Sequence, residues 1–318
     1  MKAIAAPTYG PLDQLAQIDA PLPTPGRDEV RVRVVASALN PADYKVLLGS
    51  LKFLHARNRP LIVGYDFSGT IDAVGPNVSA FSVGEEVFGF LPYGPFNNRG
   101  AFAEALVAKC DEIAAKPRGV SHDRAAAAAT TGLTAIQSIR DIGRLPAGGG
   151  KVLVTGVSGG VGSISLGVAQ KLQATVAAVG SGKGLELARR LGAVEVWDRT
   201  DCNLPGDIHE QFDVVFDPSA AYRWREWRRT LKAGGTFVTT LPSLSFATDK
   251  FASLFASSRV GFVNVKSRPA DLKLLATWLE EGLEVPLAST IPVRKVAQGL
   301  AQLQRTGGRI AVRVADGF

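Results

Sequence analysis

A glycine-rich stretch lies in the middle of the chain, with glycines at Gly156, Gly159, Gly160 and Gly162. The four residues before it, 152–155, form an apolar run typical of a buried parallel strand, and the apolar residues after it recur at helical spacing. In a strand–turn–helix unit, such glycines let the backbone approach a pyrophosphate, and the helix presents unpaired N–H groups and the positive end of its dipole. The pattern therefore predicts a dinucleotide site, which includes Ser158 and Val161 between the glycines.

The end of the next predicted strand, 175–179, is expected to contact the ribose of such a dinucleotide. NAD sites usually carry Asp or Glu roughly 20 residues past the glycines, whereas NADP sites lack it and offer small polar and cationic residues. The chain has no carboxylate at 180–184, where it reads GSGKG. Ser181 and Lys183 are therefore predicted to bind a 2′-phosphate, which favours NADPH over NADH. A polar loop with a solvated lysine is the alternative.

Cysteine and histidine are too sparse to suggest a metal centre. The chain contains Cys110 and Cys202, no CxxC pair, and three histidines, His55, His122 and His209, none of which has a metal-ligand partner at helical spacing. A thiolate zinc site or a disulfide framework is therefore not predicted, and chemistry without a metal is expected.

The length and composition are those of a globular protein. A chain of 318 residues with 46% hydrophobic and 20% charged residues suggests about two domains. No apolar run approaches the roughly 18 residues of a membrane span, so a soluble cytoplasmic protein without a membrane partner is expected. The net charge of +7 suits phosphorylated ligands such as NADPH or an acyl-coenzyme A. The basic cluster at 222–232, YRWREWRRTLK, is interpreted as the solvated face of a helix, and nucleic acid is not the expected partner.

The first 120 residues read as short strands separated by Gly and Pro turns. Valines alternate with arginines over 29–36, EVRVRVVA, as in a half-buried strand. Further strands are predicted at 63–74, 85–89 and 100–108. This pattern indicates a partly closed antiparallel barrel.

Beyond residue 150 predicted strands alternate with predicted helices. The strands are 212–216, 236–240 and 261–265 in addition to those named above, and the helices include 184–191, 223–231 and 272–281. Alternation of this kind predicts a parallel sheet with helices on both faces. A last helix at 296–304 and an alternating strand at 309–314 are interpreted as an extension that returns to the first domain.

Short motifs along the whole chain resemble one enzyme superfamily. They are NPADYK at 40–45, GYDFSGTIDAVG at 64–75, GEEVFGF at 84–90, GAFAEALV at 100–107, GLTA at 132–135, TGVSGGVGSISLGVAQ at 155–170, ARRLGA at 188–193, FDVVFD at 212–217, LKAGGTFV at 231–238 and GGRIAVRV at 307–314. Together they resemble the medium-chain dehydrogenase/reductase superfamily, and most closely its zinc-free quinone oxidoreductase (zeta-crystallin-like) and enone reductase branch. The glycine stretch alone also fits the TGxxxGxG pattern of short-chain dehydrogenases, but no tyrosine here has the lysine four residues later that this family needs.

The resemblance implies an α/β fold in two parts. A GroES-like, partly open antiparallel β-barrel is expected from 1–123 and 267–318, and a Rossmann doubly wound parallel sheet from 124–266. The resemblance also implies a homodimer, and an NADPH-dependent reductase that transfers hydride to a conjugated C=C bond or a quinone. Zinc-dependent members carry Gly-His-Glu, whose histidine binds the metal, whereas this chain has Gly64-Tyr65-Asp66, so no metal is implied.

Two alternative functions stay open on the sequence. One is a reductase of an α,β-unsaturated acyl-coenzyme A, which the basic charge favours. Relatives of that kind carry a proton-donating tyrosine about eleven residues past the Asn-Pro pair, where this chain has Leu51. The other is an NADPH-binding protein with nucleic-acid affinity and little catalysis.

The resemblance also implies roles for individual residues. Asn40, Tyr44 and Lys45 are expected to lie at the nicotinamide end, and Tyr44 or Lys45 would stabilise an enolate or return a proton; packing of Tyr44 and solvation of Lys45 are the alternatives. The residues expected to contact a flat substrate are Tyr65, Phe90, Tyr93 and Phe96. For Phe90, Tyr93 and Phe96, plain packing is the alternative. Further cofactor contacts are implied for Thr131, Thr134, Leu241, Val263 and Asn264. For the two threonines, capping of a helix is the alternative.

Overall fold

The computed structural model describes residues 1–50, 60–93, 99–201, 203–209, 211–242, 244–303 and 308–318. Four residues named above lie outside the described residues: Leu51, His55, Phe96 and Cys202. The chain divides into two compact units, Met1–Thr130 with Lys266–Phe318, and Thr131–Val265. The second unit thus spans 131–265, whereas the sequence predicts 124–266.

The strands are numbered in chain order. They are β1 (Lys2–Ala6), β2 (Ala16–Asp19), β3 (Glu29–Ala38), β4 (Leu61–Ile62), β5 (Asp66–Val74), β6 (Glu86–Phe90), β7 (Ala105–Lys109), β8 (Ile113–Ala115), β9 (Lys151–Val154), β10 (Thr175–Gly180), β11 (Glu195–Asp198), β12 (Phe212–Asp217), β13 (Leu231–Thr239), β14 (Arg259–Phe262), β15 (Leu287–Pro292) and β16 (Arg309–Arg313).

The α-helices are also numbered in chain order. They are α1 (Pro41–Leu47), α2 (His122–Ile136), α3 (Gly160–Lys171), α4 (Lys183–Arg190), α5 (Trp224–Trp227), α6 (Leu244–Ser253), α7 (Pro269–Glu280) and α8 (Val296–Gln302). A π-helical segment, Gln137–Ile142, continues α2, and a 3₁₀ turn, Arg228–Thr230, continues α5. Within the described ranges, no helix is long and apolar enough to cross a membrane.

The first unit is built around β3. Over the described residues its larger sheet has the strand order β15-β16-β3-β5-β6-β8, and β7 also pairs with β3. The alternating sequence explains this central position, because Val30, Val32 and Val34 are buried while Arg33 is exposed. β3 pairs antiparallel with β5, β7 and β16, in agreement with the predicted antiparallel architecture.

The end of the chain returns to this unit, as predicted. β16 pairs antiparallel with β3, and Ala311 lies opposite Ala38. The strand is buried on both faces from Arg309 to Val312, although its alternating sequence predicts a strand with one buried face. The first unit therefore contains strands from both ends of the sequence.

The second unit contains a parallel sheet in the order β11-β10-β9-β12-β13-β14. The chain adds strands outward from β9 to β11 and then resumes on the other side of β9 with β12. In open α/β sheets, ligands bind outside the carboxyl ends of the strands at the point where this order reverses. The glycine stretch follows β9 and therefore lies at that point.

Helices cover both faces of the sheet because β9 has apolar side chains on each side. Val152 and Val154 belong to one buried cluster, which includes Leu166 of α3. Leu153 belongs to a second cluster, which includes Trp224 and Trp227 of α5. The apolar run before the glycines predicts such a strand. Because both of its faces must be buried, helices cover both sides of the sheet, which is the doubly wound arrangement.

The basic cluster corrects one prediction. A helix is expected over 223–231, but α5 covers only Trp224–Trp227, a 3₁₀ turn covers Arg228–Thr230, and β13 begins at Leu231. Trp224 and Trp227 are almost fully buried, so this short element lies with two large rings in the core and its arginines outside. The cluster is solvent-facing as predicted, but it does not form the face of a long helix.

Candidate functional site

The glycine turn brings the start of α3 close to the end of β9. Gly156 has φ +59°, and Gly159 is the residue that precedes the first turn of α3. A Cβ atom at Gly162 would overlap the backbone carbonyl oxygen of Gly156, so only glycine allows this approach. The first N–H groups of a helix have no partner within the helix, and here they lie at the carboxyl edge of the sheet. The turn is therefore shaped for a pyrophosphate.

A buried carboxylate holds the two central strands together at this edge. The Thr155 hydroxyl donates to Asp217 at the end of β12, at 2.7 Å, and the backbone N–H of Thr155 donates to the carbonyl of Phe216. Asp217 also accepts hydrogen bonds from Ser219 and from the backbone N–H of Tyr222. Sequence reasoning missed Asp217, although a carboxylate that ends an apolar strand directly beside the glycine turn is a signal for it.

The residues predicted to bind a 2′-phosphate lie next to the glycine turn. Ser181 follows β10, and Lys183 is the first residue of α4 and is exposed. A Cβ atom at Gly184 would lie 3.0 Å from the Cβ of Ser158, which shows how close α4 is to the turn. Ser158 and Lys183 are thus brought to one region of the second unit.

Arg199 is a further cation in this region, and sequence reasoning missed it. It follows β11, the neighbour of β10, and its Nε donates to the hydroxyl of Ser181 at 3.2 Å. The carboxylate of the preceding residue, Asp198, accepts hydrogen bonds from Thr200, which hold its pKa below the ordinary value. Only the strand order could have indicated Arg199, because it is distant in sequence from Ser181 and Lys183.

The other predicted cofactor residues of the second unit lie at the ends of the next strands. Leu241 follows β13 and is exposed, and Val263 and Asn264 follow β14. Val263 is buried and donates its N–H to the carbonyl of Thr239, whereas Asn264 is exposed. All three positions share the carboxyl edge of the sheet with the glycine turn.

Thr131 and Thr134 lie in the interior of α2, and both are buried. A residue that caps a helix precedes its first turn or follows its last turn. Since α2 extends from His122 to Ile136, the alternative that these threonines cap a helix is wrong. A role in cofactor binding stays a prediction.

A network of buried polar groups joins three segments of the first unit. Asp66 is fully buried at the start of β5 and forms an ion pair with Arg309 of β16. Asp66 also accepts hydrogen bonds from the backbone N–H and the hydroxyl of Thr130, at 2.7 and 2.5 Å. Burial raises the pKa of the Asp66 carboxyl, while Arg309 and these hydrogen bonds oppose the rise because they stabilise the charged form.

Asn40 is part of the same network. Its amide nitrogen donates to Asp66 at 2.8 Å, and its amide oxygen accepts from Arg309 at 2.7 Å. Both ends of the amide are therefore engaged inside the first unit, and the side chain is 4% exposed. These contacts fix Asn40 at the start of α1, and its expected place at the nicotinamide end stays a prediction. Its backbone N–H donates to Asp43 at 2.7 Å, which fixes the first turn of that helix.

Tyr44 and Lys45 lie on α1, directly after this network. Both side chains are half-buried. Burial lowers the pKa of the Lys45 ammonium group below its ordinary value. A lysine whose proton is held less tightly is a better proton donor near neutral pH than a solvated one.

Three of the predicted substrate residues form one aromatic cluster. The rings of Tyr65 and Tyr93 have centroids 4.3 Å apart, and those of Phe90 and Tyr93 are 5.0 Å apart. Tyr65 and Phe90 are fully buried, whereas Tyr93 is half-buried. Burial, and then the carboxylates of Asp43 and Asp66, raise the pKa of the Tyr93 phenol well above its ordinary value, so this group stays protonated. Tyr93 is therefore a neutral phenol that holds its proton more tightly than a free tyrosine does, and it is the half-buried member of the cluster.

In the zinc-dependent proteins of the superfamily that the sequence resembles, the metal-binding histidine of Gly-His-Glu stands where this chain has Tyr65. The ring of Tyr65 packs in the aromatic cluster. The usual zinc ligands in proteins are Cys, His, Asp and Glu side chains. Within the described residues, no group of three or more His, Cys, Asp or Glu side chains is arranged to hold a metal ion.

Two family models match the chain. The alcohol dehydrogenase GroES-like domain matches residues 26–118, and the zinc-binding dehydrogenase domain matches residues 191–311. The first match covers most of the barrel strands, and the second extends from the Rossmann-type sheet into the return segment.

Individual proteins agree with these family models. A 2-methylene-furan-3-one reductase of Solanum lycopersicum is 31% identical over 296 residues, which cover 90% of this chain and 71% of the relative. A chloroplastic quinone-oxidoreductase homolog of Spinacia oleracea is 30% identical over 250 residues, which cover 76% of this chain and 75% of the relative. The solved structure of the quinone oxidoreductase from Coxiella burnetii superposes with a TM-score of 0.87 at 25% identity and covers 99% of both chains.

Proposed function

Because the chain belongs to the medium-chain dehydrogenase/reductase superfamily of NAD(P)-dependent oxidoreductases, we propose that it is an NADPH-dependent reductase of conjugated C=C bonds or quinones that works without zinc. The observation that carries the cofactor assignment is the hydrogen bond from Arg199 to Ser181, which brings a second cation to the segment 180–184, where Lys183 lies and no carboxylate is present. The names of two relatives, a quinone-oxidoreductase homolog and a furanone reductase, support the substrate class.

The second unit would bind and orient the cofactor. The glycine turn and the first N–H groups of α3 would hold the pyrophosphate, and Lys183 and Arg199 would neutralise the 2′-phosphate. Leu241, Val263 and Asn264 would lie beside the nicotinamide, at the ends of β13 and β14. When bound, NADPH supplies a hydride, and the protein's task is to orient the acceptor and to exclude water.

The first unit would complete the reaction with a proton. Addition of a hydride to the β-carbon of an enone leaves an enolate, and a proton must then reach the α-carbon. Lys45, with its lowered pKa, would stabilise the enolate oxygen and return the proton, and Tyr44 would orient it. A delocalised enolate needs less stabilisation than an alkoxide, so these groups can suffice without a Lewis acid.

Removal of both cations at the ribose edge should change the cofactor preference. In the Lys183→Ala/Arg199→Ala variant, we expect the KM for NADPH to rise about tenfold or more, because two charge-assisted contacts to the 2′-phosphate are lost. The KM for NADH should change less than about twofold. Lys171→Ala, at the far end of α3, is the matched control. Equal rises in the KM values for NADPH and NADH would contradict the assignment of these cations to the 2′-phosphate.

The proton-transfer role of α1 can be tested by pH dependence. In the Tyr44→Phe/Lys45→Met variant, kcat should fall by about 100-fold, a typical effect of losing a general acid. Burial lowers the pKa of Lys45, so wild-type kcat should decline on the alkaline side with a midpoint below the ordinary lysine value of about 10.4. The variant should lack this decline, and Lys109→Met, an exposed lysine of β7, should retain it. Unchanged turnover in the double variant would mean that solvent supplies the proton.

The overall function is tested by NADPH oxidation against a panel of quinones, short enones and enoyl-coenzyme A thioesters. Consumption of quinones or short enones supports the proposal. Exclusive turnover of thioesters would favour the acyl-coenzyme A alternative. If no member of the panel is reduced, the proposed catalysis fails.

A further inference from the structure

A cavity of about 570 Å³ lies in the second unit, away from the glycine turn. Its basic lining residues are His209, Arg225, Arg228 and Arg229. One wall is the segment before β12, and the other is α5 with the 3₁₀ turn before β13. These walls adjoin the amino ends of β12 and β13. The sheet is parallel, so the cavity lies at the opposite edge of the sheet from the glycine turn.

The described lining residues of the cavity carry more positive than negative charge. Arg225 forms an ion pair with Asp249 at 2.8 Å, so one side of its guanidinium is engaged. Arg228 and Arg229 are exposed and have neither an ion pair nor a side-chain hydrogen bond among the described residues. Among the described lining residues the acidic one is Glu226, which accepts the backbone N–H of Arg223 at 2.7 Å, so that one of its carboxylate oxygens is occupied.

The two walls are held by the same buried cluster. Ile208, from the first wall, packs in one apolar cluster with Trp224 and Trp227, from the second. Trp224 also donates its indole N–H to Ser258 at 3.1 Å, and Thr230 donates its hydroxyl to the carbonyl of Trp227. The cationic residues therefore extend from backbone that is fixed by core packing, so less ordering is needed when a ligand binds.

The kind of ligand follows from the lining. Arg225 and Arg228 are three residues apart and lie on one side of the helical turn, and Arg229 adds a third guanidinium. A guanidinium binds phosphate through two parallel hydrogen bonds, and several of them suit more than one phosphate group. The volume lies within the roughly 300–1,000 Å³ of small-molecule sites. Single-stranded nucleic acid usually stacks on exposed aromatic rings, but the two tryptophans of this wall are buried.

We propose that this cavity is a binding site for a small ligand with two or more linked phosphate groups, separate from the dinucleotide site. The proposal does not depend on the reaction that the enzyme catalyses. The test is isothermal titration of inorganic pyrophosphate into the full chain at about 0.15 M salt, where interactions between distant surface charges are screened.

Wild-type protein should bind pyrophosphate, and the Arg228→Gln/Arg229→Gln variant should bind it at least about tenfold more weakly, since charge-assisted hydrogen bonds are lost. The matched control is Arg189→Gln/Arg190→Gln, which removes the same charge from the last turn of α4 and should change the affinity less than about twofold. Circular dichroism and thermal unfolding would show that the variants are folded. Protection from hydrogen exchange by pyrophosphate should map to 203–209 and 223–231.

Four results would overturn the proposal. The first is no binding to the wild-type protein, and the second is equal weakening in both variants, which would reflect net charge alone. The third is binding that the Arg228→Gln/Arg229→Gln variant leaves unchanged, since pyrophosphate would then occupy the glycine turn. The fourth is a single-stranded RNA that binds these arginines at least about tenfold more tightly than pyrophosphate, which would make the cavity part of a nucleic-acid surface.

Discussion

The Arg309→Met variant is expected to lose about 3–5 kcal/mol of unfolding free energy, because it leaves the buried Asp66 carboxylate without its ionic partner. The side chain of Arg309 is 4% exposed, and that of Asp66 is fully buried. Arg309 also donates to the carbonyls of Leu39 and Ala127 and to the amide of Asn40. Its loss removes hydrogen bonds from several segments of the first unit, and water cannot readily replace them.

The same strand provides a control. Arg313 forms an ion pair with Asp123 at 2.8 Å, but its side chain is 62% exposed, so Arg313→Met should cost less than about 1 kcal/mol. Urea unfolding of both variants gives the comparison. The Asp66→Leu/Arg309→Met variant should be more stable than Arg309→Met, because it removes the unpaired charge together with its partner. Equal stabilities of the Arg309 and Arg313 variants would show that the buried pair contributes no more than a surface pair.

The Gly162→Ala variant should bind NADPH about tenfold or more weakly than the wild-type protein, since overpacking of about 1–3 kcal/mol displaces the start of α3 from the glycine turn. The atoms that the new Cβ would meet are the carbonyl group of Gly156 and the Cα of Val157. All of them belong to the backbone, so no side-chain rotation can relieve the overlap. The N–H groups of the first helical turn would therefore move relative to the pyrophosphate.

Gly148→Ala is the matched control for this variant. It lies in the same unit, before β9, and an added Cβ there would meet no atom within 4 Å. Fluorescence titration with NADPH should give the wild-type dissociation constant for Gly148→Ala and a larger one for Gly162→Ala. A wild-type constant for Gly162→Ala, in protein shown to be folded by its urea transition, would mean that the cofactor does not use this turn.

Much of the fold follows from local pattern. The alternation in β3, the apolar run in β9 and the glycines after it are each specific for one kind of element, and the structure places all three as predicted. The return of β16 to the first unit is also predicted correctly. The GroES-like and Rossmann-type architecture is confirmed by the family models and the solved structures.

The features that the sequence did not indicate depend on pairing between distant segments. Arg199 reaches Ser181 because β11 lies beside β10, and Arg309 reaches Asp66 across most of the chain. The helix predicted at 223–231 is short because β13 already begins at Leu231, where it pairs with Phe212 of β12, and this pairing with a distant segment cannot be seen in local periodicity. The zinc-free reaction, the preference for NADPH and the homodimer stay predictions.

The pairing of β16 with β3 has a consequence for synthesis of the chain. Asp66 precedes Arg309 by 243 residues, so the carboxylate leaves the ribosome long before the cation that compensates for it. All of Thr131–Val265 is made in that interval, and this unit needs no segment from elsewhere in the chain to complete its sheet. Since domains generally fold as units during synthesis, the second unit can fold first. The first unit can bury Asp66 with its partner only after translation has reached β16.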